Sequence, residues 1–264
     1  MYPSLAQIIT LTAWVNAALH APTAVNPGEV YPENPAFRSC EVVRFVNLNH
    51  AGAVGKETLY AADPIAWLAR LREEGVTALR LVYDPAPTAA AGSPPVGFGD
   101  DGSCWLIEAV KLAASDYWEA RWELGDRFRA DGRRWQVTSG RIVANAPAGY
   151  ATSSATVAEV TQQIIAHLPK MIDFALDHYA DQFARSFAIA LHFLTTPASP
   201  PDEDDRLPPA SGQLLAAVRA AWVCGGMGSW TDMSFAGEVQ AEYDALTDEL
   251  YSLLQTAIVA AVNR

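Results

Sequence analysis

The sequence has few of the residues that build metal sites and redox centres. Its 264 residues include three cysteines, Cys40, Cys104 and Cys224, with wide spacing and no Cys-x-x-Cys pair. This spacing argues against a structural zinc site and a disulfide framework. Each cysteine lies in an apolar run that is typical of a small buried side chain. We therefore expect no metal ion, and a reducing cytoplasm as the compartment.

Complete motifs for nucleotide binding and nucleophilic catalysis are also absent. GFGDDG at 97–102 has the letters of the dinucleotide fingerprint, but a proline-rich loop precedes it and its aspartates would repel phosphate. GAVGKET at 52–58 lacks the Ser or Thr that follows Gly-Lys in a P-loop. The five histidines form no HExxH pattern, and no GxSxG elbow occurs. We therefore predict no cofactor and assign no catalytic residue.

Basic side chains are scarce. The sequence has 18 Lys and Arg against 30 Asp and Glu, which gives a formal net charge of -12. An acidic surface repels phosphate backbones, so we expect no direct binding of nucleic acid. The same charge suits a basic protein partner, because opposite potentials steer encounter. Solubility alone is the alternative explanation of the acidic composition.

Long apolar runs are missing as well. The most apolar early stretch, residues 5–24, is interrupted by Gln7 and Asn16, and the first basic residue is Arg38. A bilayer span needs a longer and less polar run, and a secretory signal needs a positive start. We predict a docking helix over 4–20 and no membrane segment. A cleaved signal stays as the alternative.

The first half of the chain has the pattern of a sheet with flanking helices. In 116–124, Trp118, Ala120, Trp122 and Leu124 alternate with Tyr117, Glu119, Arg121 and Glu123. This alternation predicts that Trp118, Trp122 and Trp135 are buried on one face of a mostly antiparallel sheet. The predicted helices are 4–20 and 63–75, and the predicted strands are 40–48, 76–84, 103–110, 116–124 and 134–145.

The second half has the period of helices. Apolar residues repeat at three and four positions, after a small-residue linker at 146–156. The predicted helices are 156–179, 180–194, 211–223 and 238–262, with Pro169 as a break or kink. We therefore predict an α+β fold, with an α+β region over 1–150 and a helical region over 151–264 packed on it. One continuous domain is the alternative to two.

Between the last two predicted helices lies AWVCGGMGSWTDMSF, residues 221–235. Gly225 and Gly226 supply the left-handed residues that end a helix, so we predict a positive φ at one of them. Ser229, Thr231 and Asp232 are suited to accept hydrogen bonds from free N–H groups before the next helix. The alternative is a loop that presents its aromatic side chain to a partner.

A resemblance is carried by these residues. GGMGSWTDM, followed by the helix YDALTDELYSLLQTAIVAAVN, resembles an element of an uncharacterised bacterial family in which GGMGS precedes Trp or Phe and then Asn-Asp. This sequence departs from that form with Thr231 in place of Asn. Some proteins with such elements resemble immunity proteins encoded beside secreted toxins. The resemblance covers only the C-terminal part of the chain. It implies a bacterial, cytosolic binder and identifies no chemistry.

Two function hypotheses follow. The first is an immunity protein that neutralises a cognate basic toxin, a nuclease being the named candidate, by covering its active site. Its partner-binding residues are predicted to be Asp202, Glu203, Asp204, Asp205, Trp230, Asp232, Glu238, Glu242 and Glu249. The alternative is an enzyme with a pocket between the sheet and the helical half. Its candidate residues are Glu119, Arg121, Glu123 and Asp126, on the outer side of a strand.

Overall fold

The computed structural model describes residues 1–21, 31–48, 57–83, 105–147, 155–196, 206–225 and 228–263. The chain divides into two compact units, Tyr2–Thr152 and Ser153–Arg264. The first unit contains a sheet with helices, and the described part of the second is helical. This confirms the predicted α+β fold class.

The sheet unit contains every element predicted for it and one strand more. The added strand is five residues long and has no alternating burial, with Leu59 62% exposed, so it gave no periodic signal. In chain order the elements are α1 (Pro3–His20), β1 (Cys40–Leu48), β2 (Glu57–Ala61), α2 (Pro64–Glu73), β3 (Ala78–Tyr83), β4 (Trp105–Val110), β5 (Ala114–Leu124) and β6 (Trp135–Pro147).

The six strands form one mixed sheet in the order β2-β1-β6-β5-β4-β3. The neighbours are antiparallel, as predicted, except that β1 and β6 run parallel with Val43 opposite Val137. The β5–β6 connection contains Gly132 with φ 73°, as its Asp-Gly turn signal predicted. The parallel pair joins the β1–β2 hairpin to the β3–β6 meander.

An aromatic core fills one face of the sheet under α2. Trp67 stacks on Phe45 with ring centroids 4.3 Å apart, and Trp118 meets both rings edge to face. All three side chains are at most 1% exposed. Aromatic pairs of this geometry stabilise the fold beyond their buried area. Packing of these rings therefore fixes α2 on the sheet.

Helix α1 protects the edge strand β3. The Asn16 side chain donates to the carbonyl oxygen of Leu79 at 2.9 Å and accepts from the N–H of Leu79 at 2.6 Å. An edge strand has unpaired backbone groups that attract other chains. Asn16 occupies one such pair of groups, so the polar residue that interrupts the apolar helix has a structural role.

The tryptophan prediction for β5 and β6 is confirmed for Trp118, and Trp122 and Trp135 are half-buried. The rings of Trp122 and Trp135 meet at 5.9 Å between centroids. Burial decreases along β5, and Leu124 at its end is 49% exposed. The opposite row is not the outer side that the sequence predicted, because Glu119 on that row is 2% exposed. Both faces of the sheet are covered at the centre of β5.

The described part of the helical unit contains four helices and a short 3-10 turn. The ranges are α3 (Val157–Asp177), α4 (Asp181–Thr195), α5 (Pro209–Ala221), the turn Trp230–Asp232, and α6 (Glu238–Val262). The N-terminus of α3 has a capping box, in which Thr156 and Glu159 satisfy each other's N–H groups. Pro169 lies inside α3 and the helix continues through it, so of the predicted break or kink the break is absent.

Within this unit α3 packs against α4 and α6, and α5 packs against the same two helices. Cys224 is buried in this unit and Cys40 in the sheet unit, and both are free thiols, as predicted. Cys104 and the GFGDDG sequence lie outside the described residues. In the described ranges no helix combines the length and apolar character that crossing a bilayer requires.

Candidate functional site

The glycine stretch before α6 ends one helix and prepares the next. Gly225 has φ 96°, which confirms the positive φ predicted at Gly225 or Gly226, while Gly226 lies outside the described residues. Gly228, with φ 74°, also has a positive φ. The Asp232 carboxylate accepts from the N–H of Gly228 at 2.6 Å and from that of Ser229 at 3.0 Å. Asp232 is therefore the acidic N3 residue of a capping box whose N-cap is Ser229, and it accepts from free N–H groups as its residue type predicted.

The Trp230 side chain lies in the hydrophobic core of the helical unit. Its side chain is 0% exposed, and its ring meets those of Phe183 and Phe187 edge to face at 5.4 Å. The indole N–H donates to the Thr247 hydroxyl at 2.8 Å, and the Tyr243 hydroxyl donates to the main-chain oxygen of Trp230 at 2.6 Å. This corrects the prediction that Trp230 presents its ring to a partner. The local sequence of the turn does not show that residues from other helices bury this tryptophan.

The surface of this unit carries an acidic face on α6. Residues 220–263 contain six carboxylates and no Lys, Arg or His. All six are exposed: Asp232, Glu238, Glu242, Asp244, Asp248 and Glu249. With about 3.6 residues per turn, the five on α6 fall opposite the buried stripe of Tyr243, Thr247 and Leu250. We call these six residues the acidic face.

Three members of the acidic face carry uncompensated charge. Glu238, Glu242 and Asp248 form no ion pair with any side chain in the described ranges. Asp244 accepts a hydrogen bond from Gln240 at 2.7 Å, and Asp232 caps its turn. Four of the predicted partner-binding residues therefore lie on the acidic face: Asp232, Glu238, Glu242 and Glu249. The predicted carboxylates Asp202, Glu203, Asp204 and Asp205 lie outside the described residues.

Glu249 differs from its neighbours because it contacts a buried histidine. His167 on α3 has its Nε2 3.0 Å from the carbonyl oxygen of Leu246 and its Nδ1 3.2 Å from the Glu249 carboxylate. Burial lowers the pKa of His167, and the Glu249 carboxylate partly opposes that effect. Lys170 on α3 also lowers it. His167 therefore links α3 to the acidic face, and its lowered pKa favours the neutral imidazole.

A groove of about 350 Å³ lies at the α3–α4 junction of the same unit. Its lining includes Tyr179, Asp181, Phe183 and Met233. Tyr179 is 93% exposed and has φ 57°, an uncommon backbone angle for a bulky residue. The sequence analysis did not find this site. Its only signal was a tyrosine at a helix end where glycine is usual.

The enzyme candidates do not converge on a reacting position. Arg121 donates to Glu57 at 3.1 Å and to Glu123 at 3.2 Å. Asp126 is exposed and accepts from the N–H of Phe128 at 2.9 Å, a local turn contact. Glu119 is buried in the sheet. Arg121 and Glu123 therefore form a surface ion-pair group of the kind that contributes little to stability.

A buried ion network lies elsewhere in the sheet unit. The Asp116 side chain is fully buried, and its carboxylate lies 2.7 Å from the Lys111 amine and 3.1 Å from the Arg141 guanidinium. Arg141 also donates to Glu74 at 2.9 Å. Partial burial works against the charged form of Lys111, yet hydrogen bonds to Asp116 and Glu74 raise its pKa. Each charge has an opposite partner, as a structural network requires.

Two further polar groups lie in the interior of this unit. The Glu108 carboxylate accepts from the Tyr117 hydroxyl at 3.0 Å and lies 3.9 Å from Arg80. Burial, followed by the Glu74 carboxylate, raises the pKa of Tyr60. In the described part of the chain, no group of three or more His, Cys, Asp or Glu side chains is arranged to hold a metal ion.

The fold and its surfaces define the chain as a two-unit α+β protein whose helical unit carries an acidic face. Comparison with protein-family models, with curated proteins and with solved structures finds no match. The function is therefore inferred from the chain's own residues.

Proposed function

We propose that this chain is a non-enzymatic binding protein that neutralises a cognate bacterial toxin by covering the basic active site of the toxin. The observation that carries the proposal is the acidic face, a surface of six exposed carboxylates in a segment without a basic side chain. Opposite charge on a partner accelerates association and disfavours other partners. A nuclease is the candidate target, because its active site attracts phosphate and carboxylates can take the place of phosphate.

The chemistry of the face fits this role better than a structural one. Glu238 and Glu242 are like charges one helical turn apart, and these two and Asp248 have no basic ion-pair partner in the described ranges. Like charges close together on a helix destabilise it modestly. A basic partner would relieve this repulsion on binding. We place the complex in the cytoplasm, which suits the free thiols Cys40 and Cys224.

The experiment is co-expression of the chain with the protein encoded by the adjacent reading frame. We expect growth arrest by that protein alone and normal growth when this chain is present. Purified together, the two should elute as one complex in size-exclusion chromatography. An adjacent protein that is non-toxic and does not bind would contradict the proposal.

An enzyme remains the second candidate because of one observation. Asp116 and Glu108 are buried carboxylates on neighbouring strands, and buried ionisable groups are found at active sites as well as in structural networks. Turnover of a small molecule that is lost in Asp116→Asn, while the folded state persists by circular dichroism, would favour this function.

A further inference from the structure

Tyr179 holds a backbone conformation that suits glycine better than tyrosine. After α3, the N–H of Tyr179 donates to the oxygen of Leu176 at 3.2 Å, and the N–H of Ala180 donates to the oxygen of Ala175 at 2.7 Å. These two bonds are the Schellman ending of a helix, whose left-handed position is most often Gly. A side chain at this position costs stability relative to glycine. The requirements of the helix end therefore do not explain the tyrosine.

Packing does not explain the tyrosine either. Its side chain is 93% exposed, so the ring contributes almost no buried area to the core. The ring borders the groove of about 350 Å³, beside Asp181 and Met233. Non-glycine residues held at a positive φ cluster at sites where function requires them. An exposed ring beside a groove is a suitable anchor for a partner side chain.

The charge around the groove is acidic. Among the residues that line the groove, Asp181 is acidic and none is Lys or Arg; Asp173 and Asp177 are exposed on α3, and Lys170 and Arg185 flank this stretch of the chain. The other wall is formed by Met233, which follows Asp232 of the acidic face. Phe235 contacts His178 at 4.8 Å between ring centroids. The groove is therefore continuous with the surface on which the proposed function rests.

We infer that Tyr179 and this groove receive a Lys or Arg side chain of the basic protein partner. A cation over a tyrosine ring is attracted by the negative face of the ring, and the Asp181 carboxylate in the groove lining adds to that attraction. The inference rests on the proposed function and assigns its anchor residue. The anchor also accounts for the cost of a tyrosine at the helix end.

The experiment measures partner affinity and stability in the same variants of the full chain. The probe is the toxin domain encoded by the adjacent reading frame, immobilised for surface plasmon resonance. We expect Tyr179→Gly to raise the Kd at least about tenfold, as loss of an interface hot spot does. The same change should raise the Tm by about 2–4 °C, because the backbone strain is released. Tyr179→Phe, which keeps the ring, should stay within about threefold of the wild-type Kd.

The matched control is Phe128→Ala, which removes an 86% exposed aromatic ring from the sheet unit and should leave the Kd unchanged. If the wild type binds and Tyr179→Gly binds equally well, the inference is wrong and the proposed function stands. If Tyr179→Gly lowers both affinity and Tm, the role of the ring is structural and the inference is wrong. If the wild-type chain does not bind the probe, both are overturned.

Discussion

The positive φ of Gly225 allows the chain to leave α5 and enter the turn before α6. With φ 96°, any Cβ meets the preceding carbonyl group, so we expect Gly225→Ala to lower the free energy of unfolding by roughly 1 kcal/mol or more. Gly225→Asn should cost less, because asparagine tolerates the left-handed region. Urea denaturation of the two variants is the measurement. Equal costs for Ala and Asn would contradict this explanation.

His167 should make stability depend on pH. Burial lowers its pKa in the folded protein below the unfolded value of about 6.5, so the unfolded chain binds this proton first as the pH falls. The contribution of His167 to stability is therefore complete above about pH 7 and decreases as the pH falls toward 5. We expect His167→Gln to reduce this slope, measured by urea denaturation across that range.

The partner of His167 supplies the control. Glu249→Gln removes the carboxylate 3.2 Å from Nδ1, which holds the histidine pKa up. The pKa of His167 should then fall further, which an NMR titration of the ring proton would detect. An unchanged titration would show that Glu249 does not influence the histidine.

At the scale of elements, the 3-10 turn is joined to α6 by two buried hydrogen bonds, one from the Trp230 indole to Thr247 and one from the Tyr243 hydroxyl to the main-chain oxygen of Trp230. Trp230 donates to the Thr247 hydroxyl at 2.8 Å, and both residues are buried. Thr247→Val preserves the shape but leaves the indole N–H without its acceptor, which should cost about 1–3 kcal/mol of unfolding free energy. Thr247→Ser keeps the hydroxyl and should cost less. A Val variant as stable as Ser would contradict the importance of this bond.

Individual elements were predictable where the local signal was complete. Helix α2 has the Asp63 cap and Pro64 in its first turn, and Asp63 accepts from the N–H of Ala66 at 2.8 Å as the sequence predicted. Strand β2 was missed because it is short and its sequence does not alternate between apolar and polar residues. Its position is defined by pairing with β1, which the sequence does not show. The break predicted at Pro169 is absent, because packing of α3 against α4 and α6 overrides the local cost of proline.

The candidate site was predictable only in part. Composition identified the acids of α6, because their spacing places them away from the apolar stripe. The burial of Trp230 depends on contacts from α3, α4 and α6, which no local sequence pattern encodes. The Asp116 network likewise joins Asp116 on β5, Arg141 on β6 and Glu74 just after α2, and the contacts of Arg141 with the two acids span 25 and 67 residues of chain. The sequence showed those charges without showing their partners.

At the scale of the whole molecule, net charge should govern how fast the partner associates. With a formal charge of -12, attraction to a basic toxin acts over about a Debye length, roughly 8 Å at physiological ionic strength. We expect the on-rate to fall as salt rises. The triple variant Glu238→Gln, Glu242→Gln, Asp248→Asn should lower the on-rate more than it raises the off-rate. Surface plasmon resonance at several salt concentrations is the measurement.

The matched control removes the same number of acids from the sheet unit. Glu73→Gln, Glu123→Gln and Asp126→Asn alter exposed carboxylates outside the helical unit, with an equal change in net charge. These should lower the on-rate less than the triple variant of the acidic face. Equal effects would mean that total charge matters and the face does not. A salt-independent on-rate would contradict electrostatic steering altogether.

The parallel pairing of β1 with β6 has a consequence for synthesis on the ribosome. Strand β1 can pair with β6 only after Val137, the partner of Val43, has been synthesised. At about 5–20 residues per second, the delay is roughly 5–20 s. During that interval the β1–β2 hairpin has an unfilled edge, and an isolated two-stranded hairpin is marginally stable in water. The nascent chain is therefore a candidate client for ribosome-associated chaperones until β6 has left the exit tunnel.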